Sequence, residues 1–351
     1  MARVYTAVTL LLLSACSPKR PPNPPSERRE FPGSGPSAAS RLHHFTGRTM
    51  GTSYSVKVVA GELDDDALHK RIELVLEGAN RIFSTYLSDS ELGRFNRYKR
   101  TDWFPVSKDL AVVVRQALEL SKASGGAFDP TVAPLVNLWG FGPGPRRKRP
   151  PPQEDIERLM KHVGFKKLKV RLDPPALAKT DPEATCDLSA IAKGYAVDLV
   201  AGFLERRGFS RYMVEVGGEV RAKGTNHKGS PWRIGVERPD SFGRLERIIY
   251  IRNAAVATSG DYYNYFEWEG VRYSHTIDPH TGWPVRHEPA SVTVIRPSCA
   301  EADGLATTIE VLGPEDGFAF ALERKLAVLL LCRTEGGISE KMTPSFKDYL
   351  H

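Results

Sequence analysis

The sequence predicts an α+β fold in which helices pack on antiparallel-type strands. Apolar residues recur at three- and four-residue steps in some segments and at a two-residue period in others. The two kinds of segment do not alternate regularly along the chain, which argues against a doubly wound parallel sheet. Of the 351 residues, 41% are hydrophobic and 26% are charged. This composition excludes wholesale disorder and a multi-span membrane protein.

The helices follow the three- and four-residue apolar steps. They are predicted over residues 64–83, 110–123, 187–207 and 300–312. Ser298 and Glu301 stand at capping-box spacing before the last helix, and Asp187 is placed to cap the third. The strands follow two-residue alternation or short β-type runs. They are predicted over residues 48–60, 212–216, 232–237, 247–251, 262–268, 271–275, 291–295 and 326–332.

The net charge of +7 comes from 49 basic and 42 acidic residues spread along the chain. The surface is therefore mildly basic, and this pattern does not favour nucleic-acid binding. The densest basic segment, residues 142–152, places four Lys or Arg residues among prolines. We interpret this segment as an exposed loop rather than as a site for an anionic partner.

The first residues resemble a targeting segment. One Arg precedes an apolar stretch too short to span a bilayer, and Ser-Ala then precedes Cys16. This order resembles the lipobox of bacterial lipoproteins, which predicts a signal peptide over residues 1–15 and a lipid on Cys16. The protein would then be anchored to a bacterial cell membrane and face the periplasm or extracytoplasmic side. An ordinary secretory signal with an incidental cysteine is the alternative.

The segment that follows is expected to be a tether. Residues 16–42 are rich in Pro, Ser, Gly and Arg and nearly lack large apolar side chains. Such a segment cannot bury enough surface to offset the entropy lost on ordering. We therefore predict a disordered, Pro-stiffened tether here and a folded domain over residues 43–351.

Seven polar, turn-rich blocks stand out because packing alone does not require them. They are Met50-Gly51-Thr52, Ser84-Thr85-Tyr86-Leu87-Ser88, Gly126-Ala127-Phe128-Asp129-Pro130-Thr131, Asp187-Leu188-Ser189-Ala190-Ile191-Ala192-Lys193-Gly194, Gly217-Gly218-Glu219, Thr258-Ser259-Gly260-Asp261-Tyr262 with Ser274-His275-Thr276-Ile277-Asp278-Pro279, and Ala302-Asp303-Gly304-Leu305-Ala306-Thr307. In this order and spacing they resemble the ApbE family of flavin transferases (FAD:protein FMN transferases). The resemblance covers residues 46–313 and implies the ApbE-like, T-fold-related form of the α+β class.

The resemblance implies a Mg²⁺ ion bound by Asp303, Thr307 and the backbone carbonyl of Ala190. Asp303 and Thr307 are four residues apart on a predicted helix, so they can offer two oxygens to one cation. The Ala190 carbonyl is an unusual ligand, because it would normally accept a helical hydrogen bond from the Gly194 amide. Taken alone, Asp303 would be interpreted as an acid favoured by the positive end of a helix.

The resemblance also implies contacts to FAD, which is the flavin substrate. The implied residues are Met50, Tyr86, Ala127, Phe128, Asp129, Asp187, Lys193 and Ile277. Taken alone, Met50, Phe128 and Ile277 would be assigned to the core. Lys193 would be an ordinary surface lysine.

The implied activity is Mg²⁺-dependent transfer of FMN from FAD to a Thr hydroxyl of an acceptor protein, through a phosphoester bond and with release of AMP. The implied acceptor is a membrane-associated electron-transfer protein. His275 is the candidate general base, because transfer to a hydroxyl needs a group that titrates near neutrality. Asp261 and Asp278 are reserve candidates for this role.

Other functions stay open at this point. Water could replace the acceptor hydroxyl, which would give a Mg²⁺-dependent FAD pyrophosphatase with the same site. A flavin-binding lipoprotein without turnover is a second alternative, and an adhesin that uses the basic segment 142–152 is a more distant one. Cys186 and Cys299 are close in sequence to Asp187 and Asp303, so we also hypothesise that these two cysteines form a disulfide.

Overall fold

The structure is a computed structural model that describes residues 40–239, 244–260, 264–286 and 289–350. Within these ranges, helices α1 to α7 span Asp65–Phe83, Glu91–Arg97, Lys108–Ala123, Ala133–Leu138, Gln153–Met160, Ser189–Arg206 and Cys299–Glu323. Strands β1 to β15 span Arg41–Thr49, Thr52–Ala60, Phe104–Pro105, Leu168–Leu172, Pro175–Lys179, Tyr212–Val216, Glu219–Lys223, Trp232–Glu237, Leu245–Ile251, Ala254–Gly260, Tyr265–Trp268, Val271–Ser274, Pro289–Arg296, Ala327–Thr334 and Gly337–Met342.

Eight of these strands form one sheet in the order β1-β2-β6-β7-β10-β13-β14-β15. Every neighbouring pair in the sheet is antiparallel. A three-stranded sheet β3-β5-β4 and the hairpins β8-β9 and β11-β12 complete the β structure of the described ranges. The predicted α+β class with antiparallel strands is therefore confirmed.

The large sheet is covered on both faces. Helices α1, α3, α6 and α7 pack on one face, and the β8-β9 hairpin packs on the other. Strand β14 contributes Val328 and Leu330 to the helical side and Leu329 and Leu331 to the hairpin side. Because side chains alternate across a strand, burial on both faces explains why this strand is an unbroken apolar run.

The start of the domain differs from the prediction. The predicted strand over residues 48–60 is in fact part of a hairpin, because Met50 and Gly51 adopt φ values of +48° and +76° and form its two-residue turn. Strand β1 already begins at Arg41, so the last two residues of the predicted tether 16–42 belong to the sheet. Residues 1–39, which include the predicted signal peptide and Cys16, lie outside the described residues.

The last helix, α7, is longer than predicted. Its first part ends where the sequence indicated, at residue 312, because Gly313 has a φ of +85°. Pro314 then opens a second helical part, a position at which its missing N–H carries no penalty. Strand β10 was not predicted, because its sequence AAVATSG shows no two-residue alternation. The other elements that were not predicted are strands β3, β4, β5, β7 and β15 and helices α2, α4 and α5.

The basic segment 142–152 contains no helix or strand, and Arg146, Lys148 and Arg149 are exposed. The prediction of an exposed loop is therefore confirmed. Among the residues that the structure describes, no helix has both the length and the apolar character of a membrane span.

Candidate active site

A cleft of about 660 Å³ brings the separated sequence blocks together. It is lined by the start of α6, the first part of α7, the β6–β7 turn, the end of β10 and the loops around residues 127–143 and 275–279. The predicted site residues on its wall are Tyr86, Ala127, Phe128, Asp129, Asp187, Ala190, Lys193, His275, Ile277, Asp303 and Thr307.

Three candidates are not found on this wall. Met50 lies in the β1–β2 turn and packs against the main apolar core, so its interpretation as a core residue fits, and its contact to FAD stays a prediction. Asp278 builds a turn instead, since its carboxylate accepts hydrogen bonds from the amide of His280 at 2.9 Å and the hydroxyl of Thr281 at 3.0 Å. Asp261 lies outside the described residues.

Asp303 is held where α7 crosses α6. The carboxylate is only 5% exposed, and its Oδ2 accepts a hydrogen bond from the backbone amide of Gly194 at 3.0 Å. Burial raises the pKa of Asp303, and the Lys193 ammonium and the Gly194 amide offset this only in part. The site thus contains a buried carboxylate that gains from a positive partner.

The crossing depends on the absence of a side chain at Gly194. A Cβ at this position would lie 2.4 Å from the carbonyl oxygen of Cys299 and 2.8 Å from the Cα of Ala300. The two helices therefore touch through their backbones. The Gly194 amide, which is the usual helical donor to the Ala190 carbonyl, is directed to Asp303. Ala190 and Thr307 line the cleft beside this contact.

Lys193 is not an ordinary surface lysine. Its Nζ lies 3.2 Å from Oε1 of Glu219 and 3.7 Å from Oδ1 of Asp303. Burial alone would lower the pKa of Lys193, but the two carboxylates raise it above its usual value. Burial raises the pKa of Glu219, and the Lys193 ammonium opposes this shift. The ammonium is therefore charged and fixed between two acids.

Glu219 is a site residue that sequence reasoning missed. It lines the cleft and is 3% exposed, although the sequence analysis quoted it only as part of a matched block. The available signal was its place directly after two glycines, which form the β6–β7 turn. Glu310 lies behind the wall: it is fully buried on α7 and accepts a hydrogen bond from the hydroxyl of Ser259, which lines the cleft.

The Asp129 carboxylate accepts hydrogen bonds from its own loop and from the segment that begins at Phe165. Its Oδ1 accepts hydrogen bonds from the amide of Thr131 at 2.7 Å and from the hydroxyl of Thr131 at 2.6 Å. Its Oδ2 accepts one from the amide of Phe165 at 2.7 Å. Burial raises the pKa of Asp129, although these donors lower it. The side chain therefore shapes the loop that carries Ala127 and Phe128 to the cleft.

Asp187 also bonds to nearby residues, but it lies one residue before the N-cap of α6 and is not the cap that was predicted. The helix begins at Ser189 and its N-cap is Leu188, which makes no side-chain cap. Asp187 still accepts hydrogen bonds from the amide and hydroxyl of Ser189 at 2.7 and 2.6 Å. The preceding residue is fixed by Asn96, whose side chain donates to the carbonyl of Cys186 and accepts from its amide.

The apolar candidates fall into two groups, one exposed at the edge of the cleft and one buried in the core. Tyr86 is 69% exposed at the cleft edge, where its ring is free to cover a planar ligand. Phe128 and Ile277 are 3% and 4% exposed and belong to apolar clusters. Both also line the cleft, so their interpretations as core residues and as site residues are compatible.

His275 follows strand β12 directly and lines the cleft. Its backbone amide donates to the carbonyl of Asn264 at 3.0 Å, and its ring meets the Phe141 ring edge-on at 6.4 Å between centroids. The backbone and the aromatic contact thus set the position of the imidazole.

The hypothesis of a disulfide between Cys186 and Cys299 is wrong. Both are free and buried. The Cys299 thiol points to the sheet, where its Sγ lies 3.6 Å from the carbonyl oxygen of Val220. The backbone of Cys186 is held by two hydrogen bonds to the Asn96 side chain. Among the described residues, no group of three His, Cys, Asp or Glu side chains is placed to bind a metal.

Comparisons with known proteins agree with this geometry. The ApbE family profile matches residues 50–330. The FAD:protein FMN transferase of Vibrio cholerae serotype O1 is 45% identical over 310 residues, which are 88% of this chain and 92% of that protein. The FAD:protein FMN transferase of Haemophilus influenzae is 43% identical over 320 residues, or 88% of this chain and 91% of that protein.

A solved structure shows the same fold. The flavin transferase ApbE from Vibrio cholerae superposes with a TM-score of 0.83 at 43% identity and covers 89% of this chain and 100% of its own. The family profile and the relatives each extend over most of the described domain, with the cleft inside the matched region. The chain therefore belongs to the ApbE family.

Proposed function

We propose that this protein transfers FMN from FAD to a Thr hydroxyl of an acceptor protein in a Mg²⁺-dependent reaction. The names of its relatives support FMN transfer from FAD to a protein. The observation that carries the proposal is the junction of α6 and α7, where Asp303, Thr307 and Ala190 meet on one cleft wall. Oxygen donors of this kind suit Mg²⁺, which keeps open positions for substrate phosphates.

The chemistry of this donor set fits such an ion. Asp303 offers a buried carboxylate, and Thr307 stands one helical turn further along α7. The carbonyl of Ala190 is the third donor, because the amide that would usually bind it is engaged by Asp303. When bound, Mg²⁺ supplies positive charge to the diphosphate oxygens and to the departing phosphate.

A charge count of the wall supports the need for a cation. Lys193 contributes one positive charge, whereas Asp303 and Glu219 contribute up to two negative ones when ionised. With both acids ionised, an anionic dinucleotide would meet a net negative wall if no cation were added. We therefore expect FAD binding to depend strongly on Mg²⁺.

The apolar residues of the cleft are suited to the flavin. Tyr86 offers an aromatic face at the rim, and the buried Phe128 and Ile277 offer an apolar surface. The loop that carries Phe128 is fixed by Asp129. These side chains would orient the isoalloxazine ring and exclude water from one of its faces.

In the transfer step, the acceptor hydroxyl attacks the FMN-side phosphorus. The new bond joins the Thr oxygen to phosphorus, the anhydride bond to AMP breaks, and the hydroxyl proton passes to a base, for which we assign the imidazole of His275. Lys193 orients the diphosphate and offsets its charge. Such phosphoryl chemistry depends mainly on positioning and on charge stabilisation.

The function is tested by co-expression with a membrane-associated electron-transfer protein that carries a candidate Thr motif. We expect in-gel flavin fluorescence and a mass increase of one FMN on that Thr with the wild-type enzyme. Asp303→Ala in the enzyme, or Thr→Val in the acceptor, should abolish both signals. Release of free FMN at an equal rate with and without acceptor would instead favour a pyrophosphatase. Binding of FAD without any turnover would favour a flavin-binding protein.

We also propose that Cys16 carries the lipid that anchors the enzyme to an extracytoplasmic membrane surface. The sequence around it supports this placement, which suits a membrane-associated acceptor. Metabolic labelling with a palmitate analogue should tag the wild-type protein. Cys16→Ser should lose the label and leave the membrane fraction, while an unchanged distribution would contradict the proposal.

A further inference from the structure

The block Gly217-Gly218-Glu219 has no role in the reaction as described so far. Gly217 and Gly218 have φ values of +63° and +103° and connect β6 to β7 in a two-residue turn. A Cβ on Gly217 would lie 2.8 Å from Cγ2 of Thr52 and 3.4 Å from Cδ of Lys193. The turn is therefore shaped to let the Lys193 stem pass beside it.

Glu219, the first residue of β7, points into the cleft. Its Oε1 lies 3.2 Å from Nζ of Lys193. Its Oε2 is buried and has no hydrogen-bond partner in the described part of the chain. Leaving a buried carboxylate oxygen unpaired is costly, so such atoms are rare and call for an explanation.

Two other buried carboxylates of the cleft, Asp129 and Asp303, do not share this property. One oxygen of Asp129 accepts from Thr131 in its own loop and the other accepts from the distant Phe165 amide. Asp303 has the Gly194 amide on one oxygen and the Lys193 ammonium near the other. Glu219 alone among these three acids keeps a buried acceptor atom that the protein does not use.

The chemistry of the substrate narrows what this oxygen can bind. Phosphate oxygens only accept hydrogen bonds, so they cannot satisfy the oxygen of an ionised carboxylate. The hydroxyl groups that flank a dinucleotide diphosphate, on the ribityl chain and on the adenosine ribose, are donors. Lys193 and Asp303 place the diphosphate at this wall if the proposed function holds, and Glu219 is the direct neighbour of Lys193.

We propose that Glu219 is a substrate-binding residue that holds Lys193 with one oxygen and accepts a hydrogen bond from a sugar hydroxyl beside the FAD diphosphate with the other. This assignment rests on the proposed function. This role also explains the two glycines, because their tight turn brings the Glu219 carboxylate and the Lys193 ammonium to the same point of the cleft.

The test separates direct binding from an effect through Lys193. FAD affinity in the presence of Mg²⁺ is measured by flavin fluorescence for Glu219→Met, Lys193→Met and the double variant. We expect Glu219→Met to weaken binding by about tenfold or more, as for a lost hydrogen bond to a charged group. The double variant should bind FAD more weakly than Lys193→Met. Equal affinities of these two would show that Glu219 is only the counterion of Lys193 and would overturn the proposal.

The sugar is identified with the two halves of the substrate. Binding of FMN and of AMP, each with Mg²⁺, is compared between Lys193→Met and the double variant. A loss confined to FMN assigns the ribityl hydroxyl, and a loss confined to AMP assigns the ribose hydroxyl. If neither ligand binds more weakly to the double variant, the proposal fails.

A matched control comes from the same region. Glu205 on α6 accepts hydrogen bonds from Tyr212 and Arg221 and does not line the cleft. Glu205→Gln should leave FAD affinity unchanged, and thermal unfolding should show that each variant folds. These assays need no acceptor. A wild-type protein that transfers FMN while Glu219→Met retains full affinity would contradict this inference but not the proposed function.

Discussion

The two walls of the cleft use carboxylates in opposite ways. On the charged wall, formed by Lys193, Glu219 and Asp303, both acids face one lysine, and Glu219 keeps an oxygen without a hydrogen-bond partner. On the loop wall, formed by the turns of Asp129 and Asp187, the acids bind amides and hydroxyls of nearby residues. A carboxylate in a matched block can thus bind substrate or shape a loop, and only its partners distinguish the two roles.

The largest effect is expected on the charged wall. Asp303→Asn keeps an oxygen for the Gly194 amide but removes the charge, so the protein should fold while FMN transfer falls by about 100-fold or more. The temperature of thermal unfolding should not fall. Burial disfavours the charge of Asp303, as its raised pKa indicates, and the substitution removes that charge. The transfer rate is read as covalent flavin against time. Wild-type activity in this variant would contradict the assignment of Asp303 to substrate binding.

The contact between α6 and α7 can be tested with two glycines of the same helix. Gly194→Ala would place a Cβ 2.4 Å from the Cys299 carbonyl oxygen, so unfolding free energy should fall by about 1–3 kcal/mol. Transfer should fall as well, since the Gly194–Asp303 contact moves. Gly202→Ala meets only the flexible end of Arg206 and should stabilise the helix by about 0.5–1 kcal/mol. Urea unfolding checks both values, and equal effects would contradict the close crossing.

On the loop wall the main effect should be on stability. In Asp129→Asn the amide would replace one oxygen, so a donor would face the amide of Thr131 or Phe165. We expect a loss of about 1.5–3 kcal/mol in unfolding free energy, the range for hydrogen bonds to charged groups. FAD affinity should fall more than the transfer rate of the saturated enzyme. A variant with unchanged stability but no turnover would place Asp129 in the chemistry instead.

The smallest effect concerns a buried lysine behind the loop wall. Lys179 is 1% exposed and donates to the carbonyls of Asn96 and Ala184, and burial lowers its pKa to about 8. Between pH 8 and its unfolded pKa near 10.5, the folded state binds fewer protons, so this group makes stability rise with pH. The slope is at most about 1.4 kcal/mol per pH unit. The unfolding free energy of the wild type should therefore rise from pH 8 to pH 10 relative to that of Lys179→Met.

Much of the fold and the cleft could be predicted from sequence. Helices α1, α3 and α6 were predicted because the spacing of their apolar residues is visible within each segment. Strands β6 and β8 have the predicted bounds. The parts that could not be predicted depend on contacts between distant segments. The pairing of Lys193 with Glu219 and the diversion of the Gly194 amide to Asp303 arise only when α6 meets β7 and α7. Strand β10, made largely of small residues, is specified by its neighbours in the sheet.

The backbone contact at Gly194 has a consequence for how molecules reach the site. Because two helices meet there without intervening side chains, they cannot separate or slide without breaking the junction that carries Asp303. Any movement that admits a substrate as long as FAD must therefore come from the other elements that line the cleft, among which Tyr86 is exposed.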